Sequence, residues 1–208
     1  MLKENDVKKY IQFYSTTMGK EILERETRFI NEKVRSCKNL LSVGCGPALL
    51  EARLQALHPD MTIIGLDISK EMITHAPKDI SLVCEYAEHL GFQDNSFDAV
   101  LFVTSLEFIK DIQKTIQEAN RVLKEKGLLL TLILNPDSQY FQKKYDNTTS
   151  YIRKNIKHTN INQIQQVIRR YFLITHTQYF LGIKEQHIID TNSKEISSLY
   201  ILEGERLC

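Results

Sequence analysis

The sequence predicts an α/β fold in which helices cover both faces of a doubly wound, mostly parallel sheet. Short apolar runs rich in Val, Ile and Leu alternate along the chain with segments whose apolar residues recur at helical spacing. Glycine, proline and helix-capping residues lie at the boundaries between these segments. Because strands that alternate with helices pair in parallel, both observations favour one sheet with helices on either face.

Seven segments are predicted to be strands. Five are too short for buried helices, and their continuous apolar character is typical of strands covered on both faces. These five are 40–43, 62–66, 81–84, 99–104 and 128–134. Two later runs, 171–183 and 195–202, are predicted to form an antiparallel pair at the sheet edge.

Three helices are predicted between the strands, at 49–57, 70–76 and 112–124. Apolar residues from Ile112 to Leu123 step by four, three and four, which gives the last of them one apolar face. The turn at Pro59 ends the first helix, and Ser69 is placed to cap the second. Gly127 is interpreted as the residue that stops the third.

The 208 residues fit a single domain, spanning 1–208, better than two. Residues 1–35 are predicted to form one or two helices that pack outside the sheet. Residues 135–166 are polar and aromatic, and we expect them to be partly helical and to lack a strand.

The charge pattern excludes some classes of partner. With a net charge of +1, no field of the whole protein attracts nucleic acid or an anionic membrane. A mild basic excess at 143–157 favours a solvated helix face over a patch for RNA. No apolar run approaches the roughly 20 residues of a membrane span, and the N-terminus lacks the apolar core of a signal peptide. We therefore expect a cytoplasmic protein.

The four cysteines, Cys37, Cys45, Cys84 and Cys208, have neither paired spacing nor metal-ligand spacing. This predicts that no metal is bound and agrees with a reducing compartment. Cys45 and Cys84 are interpreted as small buried residues.

The stretch LLSVGCGPALL, residues 40–50, interrupts an apolar run with two glycines. A strand that ends in Gly44-Cys45-Gly46 and leads into a helix is expected to direct backbone N–H groups toward an anionic or polar ligand group. A turn without any ligand is the alternative for this motif alone. Asp67 stands 21 positions after Gly46, where an acid accepts hydrogen bonds from the two hydroxyls of a ribose. The pair of features predicts a nucleoside derivative.

Leu49 stands where the dinucleotide fingerprint has its third glycine. A leucine there would crowd a pyrophosphate. This argues against a nicotinamide-dependent oxidoreductase and favours a nucleoside whose other end is small.

The chain resembles the class I S-adenosylmethionine-dependent methyltransferases, particularly the small-molecule group that includes quinone-biosynthesis enzymes. Four blocks, within residues 38–134, carry the resemblance in the family's order and spacing. They are LLSVGCGPA, IIGLDIS, YAEHLGFQDNSFDAVLFVTSLEFI and EANRVLKEKGLLLTLI. The resemblance implies a Rossmann-like fold with a seven-stranded sheet and S-adenosylmethionine as the cofactor.

The first two blocks imply half of the cofactor site. Gly44, Cys45 and Gly46 would bring bare backbone against the methionyl part of the cofactor. Asp67 would hold the ribose, and Ile68 would lie on one face of the adenine.

The third block and the N-terminal segment imply the other half. Tyr86 stands at the position of the family's adenine-binding acid. Ala87 would offer its backbone to the adenine edge, with Glu88 beside it. Thr104 would face the cofactor near the methyl group, and Tyr14 would act as a lid residue over the methionyl end.

Three residues depart from the family pattern. Ser42 replaces an acid that would pair with the amino group of the cofactor, and Ala48 replaces a glycine. Tyr86 replaces the acid that would accept from the adenine amino group. Glu51 or Glu85 is a candidate to compensate.

The resemblance implies methyl transfer to a small molecule by in-line displacement, a reaction that requires alignment and exclusion of water more than a dedicated catalytic residue. Candidate bases and orienting residues are Tyr14, Glu107, Tyr140 and His158, each with a packing or solvated role as its alternative. Residues 1–35 would form a lid, and 135–166 a cap over the acceptor. A catalytically weak or inactive regulatory protein that binds S-adenosylmethionine is the alternative function. Oligomeric state is not readable from the chain.

Overall fold

The computed structural model describes residues 4–185 and 187–207. Cys208 and the first three residues of the expected N-terminal helices lie outside this part of the chain. Eight strands are present in it, and they are β1 Asn39–Val43, β2 Thr62–Asp67, β3 Ser81–Cys84, β4 Phe97–Val103, β5 Leu123–Leu134, β6 Phe172–Lys184, β7 His187–Ile189 and β8 Ser197–Arg206.

The strands form one sheet in the order β3-β2-β1-β4-β5-β8-β6-β7. The five strands from β3 to β5 are parallel, and β8 runs antiparallel to both β5 and β6. The predicted mostly parallel sheet with an antiparallel edge is therefore confirmed. The predicted count of seven strands is wrong, because β7 pairs with residues 182–184 of β6 as an eighth.

The helices in the described residues are α1 Glu4–Ser15, α2 Thr17–Val34, α3 Leu49–Leu57, α4 Lys70–Ile73, α5 Ile112–Val122, α6 Gln139–Asp146, α7 Tyr151–Asn155 and α8 Ile161–Ile168. A 3₁₀ turn at Leu106–Phe108 follows β4. One or two helices were predicted in residues 1–35, and the structure has two, α1 and α2; the strand-free helical stretch after β5 is also present.

Helices cover both faces of the sheet, as predicted. On one face, Ile30 of α2 and Leu54 of α3 belong to the same buried cluster as Leu40. On the other, Ile116 of α5 and Ile168 of α8 belong to a second buried cluster. Because the sheet is covered on both sides, its parallel strands are apolar almost throughout.

Three local predictions are wrong. The third helix ends at Val122 rather than at residue 124, and β5 already begins at Leu123, which pairs with Phe97. Gly127 therefore lies within β5 and does not stop the helix. The helix after Ser69 ends at Ile73 instead of residue 76, although Ser69 caps it by accepting a hydrogen bond from the N–H of Met72.

The interpretation of the cysteines also needs correction. Cys84 is exposed and Cys45 only half-buried, because each lies at the open carboxyl edge of the sheet.

Within residues 4–185 and 187–207, every helix is too short or too polar to traverse a bilayer.

Candidate cofactor-binding site

The glycine turn follows β1 at the carboxyl edge of the sheet. Gly44, Gly46 and Ala48 have φ values of 74°, 57° and 52°, all in the left-handed region that favours glycine. Ala48 thus occupies, with a side chain, the conformation for which the family uses a glycine.

The N–H groups of this turn are engaged inside the protein, which corrects the expectation that they point toward a ligand. Gly44 and Cys45 donate to the carbonyl oxygen of Leu66, at 2.6 and 3.0 Å. Gly46 donates to Oδ2 of Asp67 at 2.8 Å. A ligand at this turn would therefore meet backbone without side chains, but no free amide donor from these three residues.

The two glycines face different surroundings. A β-carbon on Gly44 would lie 2.4 Å from Cβ of Ser105, so the side-chain space there is already filled by protein. A β-carbon on Gly46 would first meet the ring of Tyr10, at 3.9 Å. Packing within the protein therefore requires a glycine at position 44, whereas at position 46 it leaves room for a side chain.

Asp67 ends β2 and lies against the glycine turn. Its two carboxylate oxygens accept one backbone N–H each, Oδ2 from Gly46 and Oδ1 from Ser69 at 2.7 Å. Burial raises the pKa of Asp67, and these two hydrogen bonds oppose the rise. Because a carboxylate has about four lone-pair positions, both oxygens can still accept a hydroxyl.

Two large apolar side chains beside Asp67 are exposed. Ile68 is 54% and Tyr86 60% exposed. The pairing of Asp67 with Cys84 places the segments that carry them on adjacent strand ends. Ala87 is buried, and Glu88 accepts a hydrogen bond from the N–H of Asp111 at 3.4 Å.

Arg121 of α5 holds the loop that follows Tyr86. Its guanidinium donates to the carbonyl oxygens of Leu90 and Phe92 and to the carboxylate of Asp94. Arg121 thereby fixes the loop that leads from Tyr86 to the start of β4, and the sequence pattern did not point to this residue.

Thr104 follows β4 and has a φ of 45°, which is strained for a β-branched residue. Its N–H donates to the carbonyl oxygen of Leu132 at 2.8 Å. The next residue, Ser105, donates its hydroxyl to the carbonyl oxygen of Val43 at 2.6 Å. These bonds join the ends of β1, β4 and β5, so Thr104 lies beside the glycine turn.

Glu51 of α3 lies next to Ser42, the residue that stands where the family has an acid. The Ser42 hydroxyl donates to Oε1 of Glu51 at 2.5 Å, and Glu51 is 2% exposed. Burial raises the pKa of Glu51 to about 7, against this hydrogen bond. The other candidate, Glu85, instead accepts a hydrogen bond from the N–H of Gly91 at 3.3 Å.

The N-terminal helix α1 contributes two tyrosines to the same region. The rings of Tyr10 and Tyr14 lie 5.0 Å apart. Tyr14 is the lid residue expected from the resemblance, yet Tyr10 is the one against Gly46. The signal that could have identified Tyr10 is its spacing of four from Tyr14, which places both rings on one helix face.

The segment from α6 to α8 is tied to the end of β4. The carbonyl oxygen of Glu107 accepts from the N–H groups of Lys157 and His158, at 2.9 and 3.1 Å. The imidazole of His158 is bonded to the carbonyl oxygen of Ile109 at 2.9 Å. His158 therefore has a structural partner and is neither a base facing the site nor the solvated helix residue that was its alternative.

Glu107 is fully buried. Its Oε1 accepts from the N–H of Leu134 at 2.9 Å, and burial raises its pKa to about 7. Glu107 therefore connects the turn after β4 to the end of β5, and its Oε1 is occupied by this bond and not available to a ligand.

Among the aromatic residues of this segment, Phe141 is buried and Tyr140 packs on the core. Tyr151 is partly exposed and lies against Phe108, with ring centroids 5.4 Å apart. Burial and, to a smaller extent, the charge of Asp67 raise the pKa of Tyr151 to about 12. Tyr151 of α7 is therefore near enough to Asp67 to be influenced by its charge.

Comparison with known proteins identifies the domain that carries this site. Residues 41–131 match the family model of a methyltransferase domain. The chain is 32% identical over 111 residues to a demethylmenaquinone methyltransferase of Thermotoga maritima, covering 51% of this chain and 48% of the relative. It is 31% identical over 118 residues to an uncharacterised protein of Methanocaldococcus jannaschii, covering 57% and 51%. The chain thus spans about half the length of these curated relatives.

A solved structure extends the likeness of fold to nearly the whole chain. It is an S-adenosylmethionine-dependent methyltransferase of Thermotoga maritima, described as a possible histamine N-methyltransferase, with a TM-score of 0.80 and 20% identity. The superposition covers 97% of this chain and 96% of that protein. Residues 41–131 thus carry a methyltransferase domain, and the whole chain has the fold of an S-adenosylmethionine-dependent methyltransferase.

Proposed function

We propose that this protein transfers the methyl group of S-adenosylmethionine to a small-molecule acceptor by in-line displacement. The observation that carries the proposal is the direct bond between Gly46 N–H and the Asp67 carboxylate. It brings the candidate ribose acceptor and the bare backbone of the turn into contact at the carboxyl edge of a parallel sheet, where such sheets bind ligands.

Each part of the cofactor has a matching surface in this arrangement. Asp67 accepts the ribose hydroxyls through the lone pairs that its backbone partners leave free. Adenine lies between Ile68 and Tyr86, whose exposed apolar surface it covers, with the main chain of Ala87 at its edge and Glu88 nearby. The methionyl part follows Gly44, Cys45 and Gly46.

Thr104 would lie beside the sulfonium, and the cap formed by residues 135–166 would hold the acceptor on the side of the methyl group. The cofactor supplies an activated methyl group and a neutral leaving group, so the chain has to align the acceptor and exclude water. Tyr14 and Tyr140 serve to exclude water. Glu107 accepts a hydrogen bond from the N–H of Leu134, and we assign it a positioning role for the end of β5.

Binding tests this proposal directly. Calorimetric titration with S-adenosylmethionine, S-adenosylhomocysteine and NADH should show binding of the two sulfur nucleosides only, because Leu49 crowds a pyrophosphate. If neither sulfur nucleoside binds, the proposal is wrong.

Asp67→Ala tests the ribose placement. Loss of two hydrogen bonds to a charged group should weaken S-adenosylhomocysteine binding by about 100-fold or more. Asp98→Ala is the matched control, since Asp98 also accepts two backbone N–H groups, from Lys38 and Asn39, but at the opposite edge of the sheet. Equal affinities in the wild type and Asp67→Ala would contradict the placement.

The names of the similar proteins suggest which methyl acceptors to test first. A demethylated quinone and a primary imidazole amine are the first acceptors to test with methyl-labelled cofactor, since one relative and one structural neighbour carry such names. Label in a small-molecule product supports transfer.

A second candidate function is binding of the cofactor without transfer. It is favoured by Tyr86, which places a ring where the family has a carboxylate. Tight binding without label transfer to any acceptor would support this candidate.

A further inference from the structure

Two buried carboxylates lie close enough to influence each other electrostatically. Glu26 of α2 is 3% exposed and Glu51 of α3 is 2% exposed. Burial raises the pKa of Glu26 to about 8, and the neighbouring charge of Glu51 adds to the rise. Two carboxylates that influence each other in a buried place do not both remain ionised without a cation.

One oxygen of this pair is unsatisfied. Oε1 of Glu51 is held by the Ser42 hydroxyl, whereas Oε2 is fully buried and has no hydrogen-bond partner among the described residues. A buried acceptor without a partner is costly, so a ligand that supplies a donor to Oε2 of Glu51 would be bound favourably here.

The surroundings of the pair supply no positive charge. No Lys, Arg or His of the described residues contributes to the pKa of Glu26 or Glu51. The ionisable groups that act on the pair or are acted on by it are Tyr10 and Tyr14 of α1, Tyr140 of α6, Asp67 of β2 and Cys45 of the turn. All of these are neutral or negative, so the pair attracts a cation and lacks one.

The cation is more fitting as an ammonium than as a metal. The described residues contain no group of three His, Cys, Asp or Glu side chains that would hold a metal ion. An ammonium donates hydrogen bonds in several directions, and the free Oε2 of Glu51 can accept one of them, while the carboxylate of Glu26 adds negative charge nearby. Tyrosine rings nearby add favourable faces for a cation.

We infer that Glu51, supported by Glu26, binds the amino group of the methionyl part of the cofactor and that this binding releases the proton that the pair carries when no cation is present. The inference rests on the proposed function. The acid that the family has on β1 is replaced by Glu51 of α3 and Glu26 of α2. Ser42, at the position of that acid, carries no charge and instead orients Glu51 through its hydrogen bond. The ammonium enters with its own three protons, and the proton of the pair passes to the solvent.

Proton release on binding is the first test, and it uses the unaltered protein. We would titrate S-adenosylhomocysteine at pH 7 in two buffers with different enthalpies of protonation, and compare it with 5′-methylthioadenosine, which lacks the amino acid part. S-adenosyl-3-thiopropylamine keeps the amine and lacks only the carboxylate. We expect S-adenosylhomocysteine and the amine to release a large fraction of a proton, and methylthioadenosine to release none.

Two neutral variants give the second test. Glu51→Gln should weaken S-adenosylhomocysteine about 30- to 100-fold, as expected for the loss of a charge-assisted bond, and leave methylthioadenosine unchanged. Glu26→Gln should weaken it less and abolish the proton release. Glu203→Gln is the matched control, because Glu203 is 8% exposed and lies on β8 outside the cluster.

The outcomes separate the two proposals. If S-adenosylhomocysteine releases no more protons than methylthioadenosine, or if Glu51→Gln weakens both ligands equally, the ammonium site is wrong while the proposed function stands. If neither ligand binds the wild type, the proposed function itself fails. The proton measurement uses the unaltered protein. It can therefore refute the inference even if the Glu51→Gln protein does not fold.

Discussion

Gly44 and Gly46 share a left-handed backbone, but replacing each by alanine should have different effects. A residue with a β-carbon costs about 1–2 kcal/mol in this conformation. Part of that cost is offset, since alanine also loses about 0.4–1 kcal/mol less backbone entropy on folding than glycine. The conformational cost alone is therefore about 1 kcal/mol at either position.

Sterics distinguish the two sites. At Gly44 the new β-carbon would lie 2.4 Å from Cβ of Ser105, an atom next to the backbone that cannot rotate away. Ser105 is further fixed by its hydrogen bond to Val43, so overpacking adds about 1–3 kcal/mol. At Gly46 the nearest atom, on Tyr10, is 3.9 Å away and adds nothing.

Thermal unfolding of both variants measures this difference. At about 2–4 °C per kcal/mol for a chain of this size, Gly46→Ala should lower Tm by a few degrees and Gly44→Ala by about 4–16 °C. Binding should show the reverse contrast: Gly46→Ala is expected to fold and to lose affinity for S-adenosylhomocysteine, because its methyl group projects into the space of the methionyl part. Equal losses of Tm, or normal binding by Gly46→Ala, would refute the reasoning.

Two further predictions concern the end of β4. Thr104→Gly should relieve the left-handed strain and raise the free energy of unfolding by about 1 kcal/mol, which corresponds to about 2–4 °C in Tm. Thr104→Ala should give no such gain. Equal Tm values of the two variants in differential scanning calorimetry would count against backbone strain at this residue. The folded protein raises the pKa of Glu107 from its ordinary value of 4.5 to about 7. Between these two pH values the folded state binds more protons than the unfolded state, so the free energy of unfolding falls as the pH rises from 4.5 to 7. Glu107→Gln should remove about 3 kcal/mol of that fall, and an unchanged slope of Tm between pH 5 and 8 would exclude Glu107 as its cause.

The inner sheet could be predicted from sequence because its strands are covered on both faces. Continuous apolar runs of four to seven residues have no other stable place in a chain of this composition. The eighth strand escaped prediction since His187–Ile189 is too short to show any periodicity. The end of α5 was misplaced because Leu123 continues the helical apolar spacing and yet pairs with Phe97 as the first residue of β5.

The candidate site was predictable in its positions more than in its contacts. Spacing alone related Asp67 to Gly46, and the structure adds that they are bonded to each other. The N–H groups of the turn were misjudged because their acceptors, Leu66 and Asp67, lie on another strand. Choosing Glu51 over Glu85 required the hydrogen bond from Ser42, a contact between β1 and α3 that no linear pattern encodes.

The position of Tyr10 determines how fast any ligand can reach the turn. Its ring lies at van der Waals distance from the site of a Gly46 side chain, so a ligand can lie along Gly46 only after the Tyr10 ring has moved, alone or together with α1. Only Val7 of that helix is buried, which makes the opening inexpensive compared with global unfolding. The observed association rate should therefore level off at high ligand concentration, at the rate of this opening. Apparent affinity will be lower than intrinsic affinity by the fraction of molecules that are open.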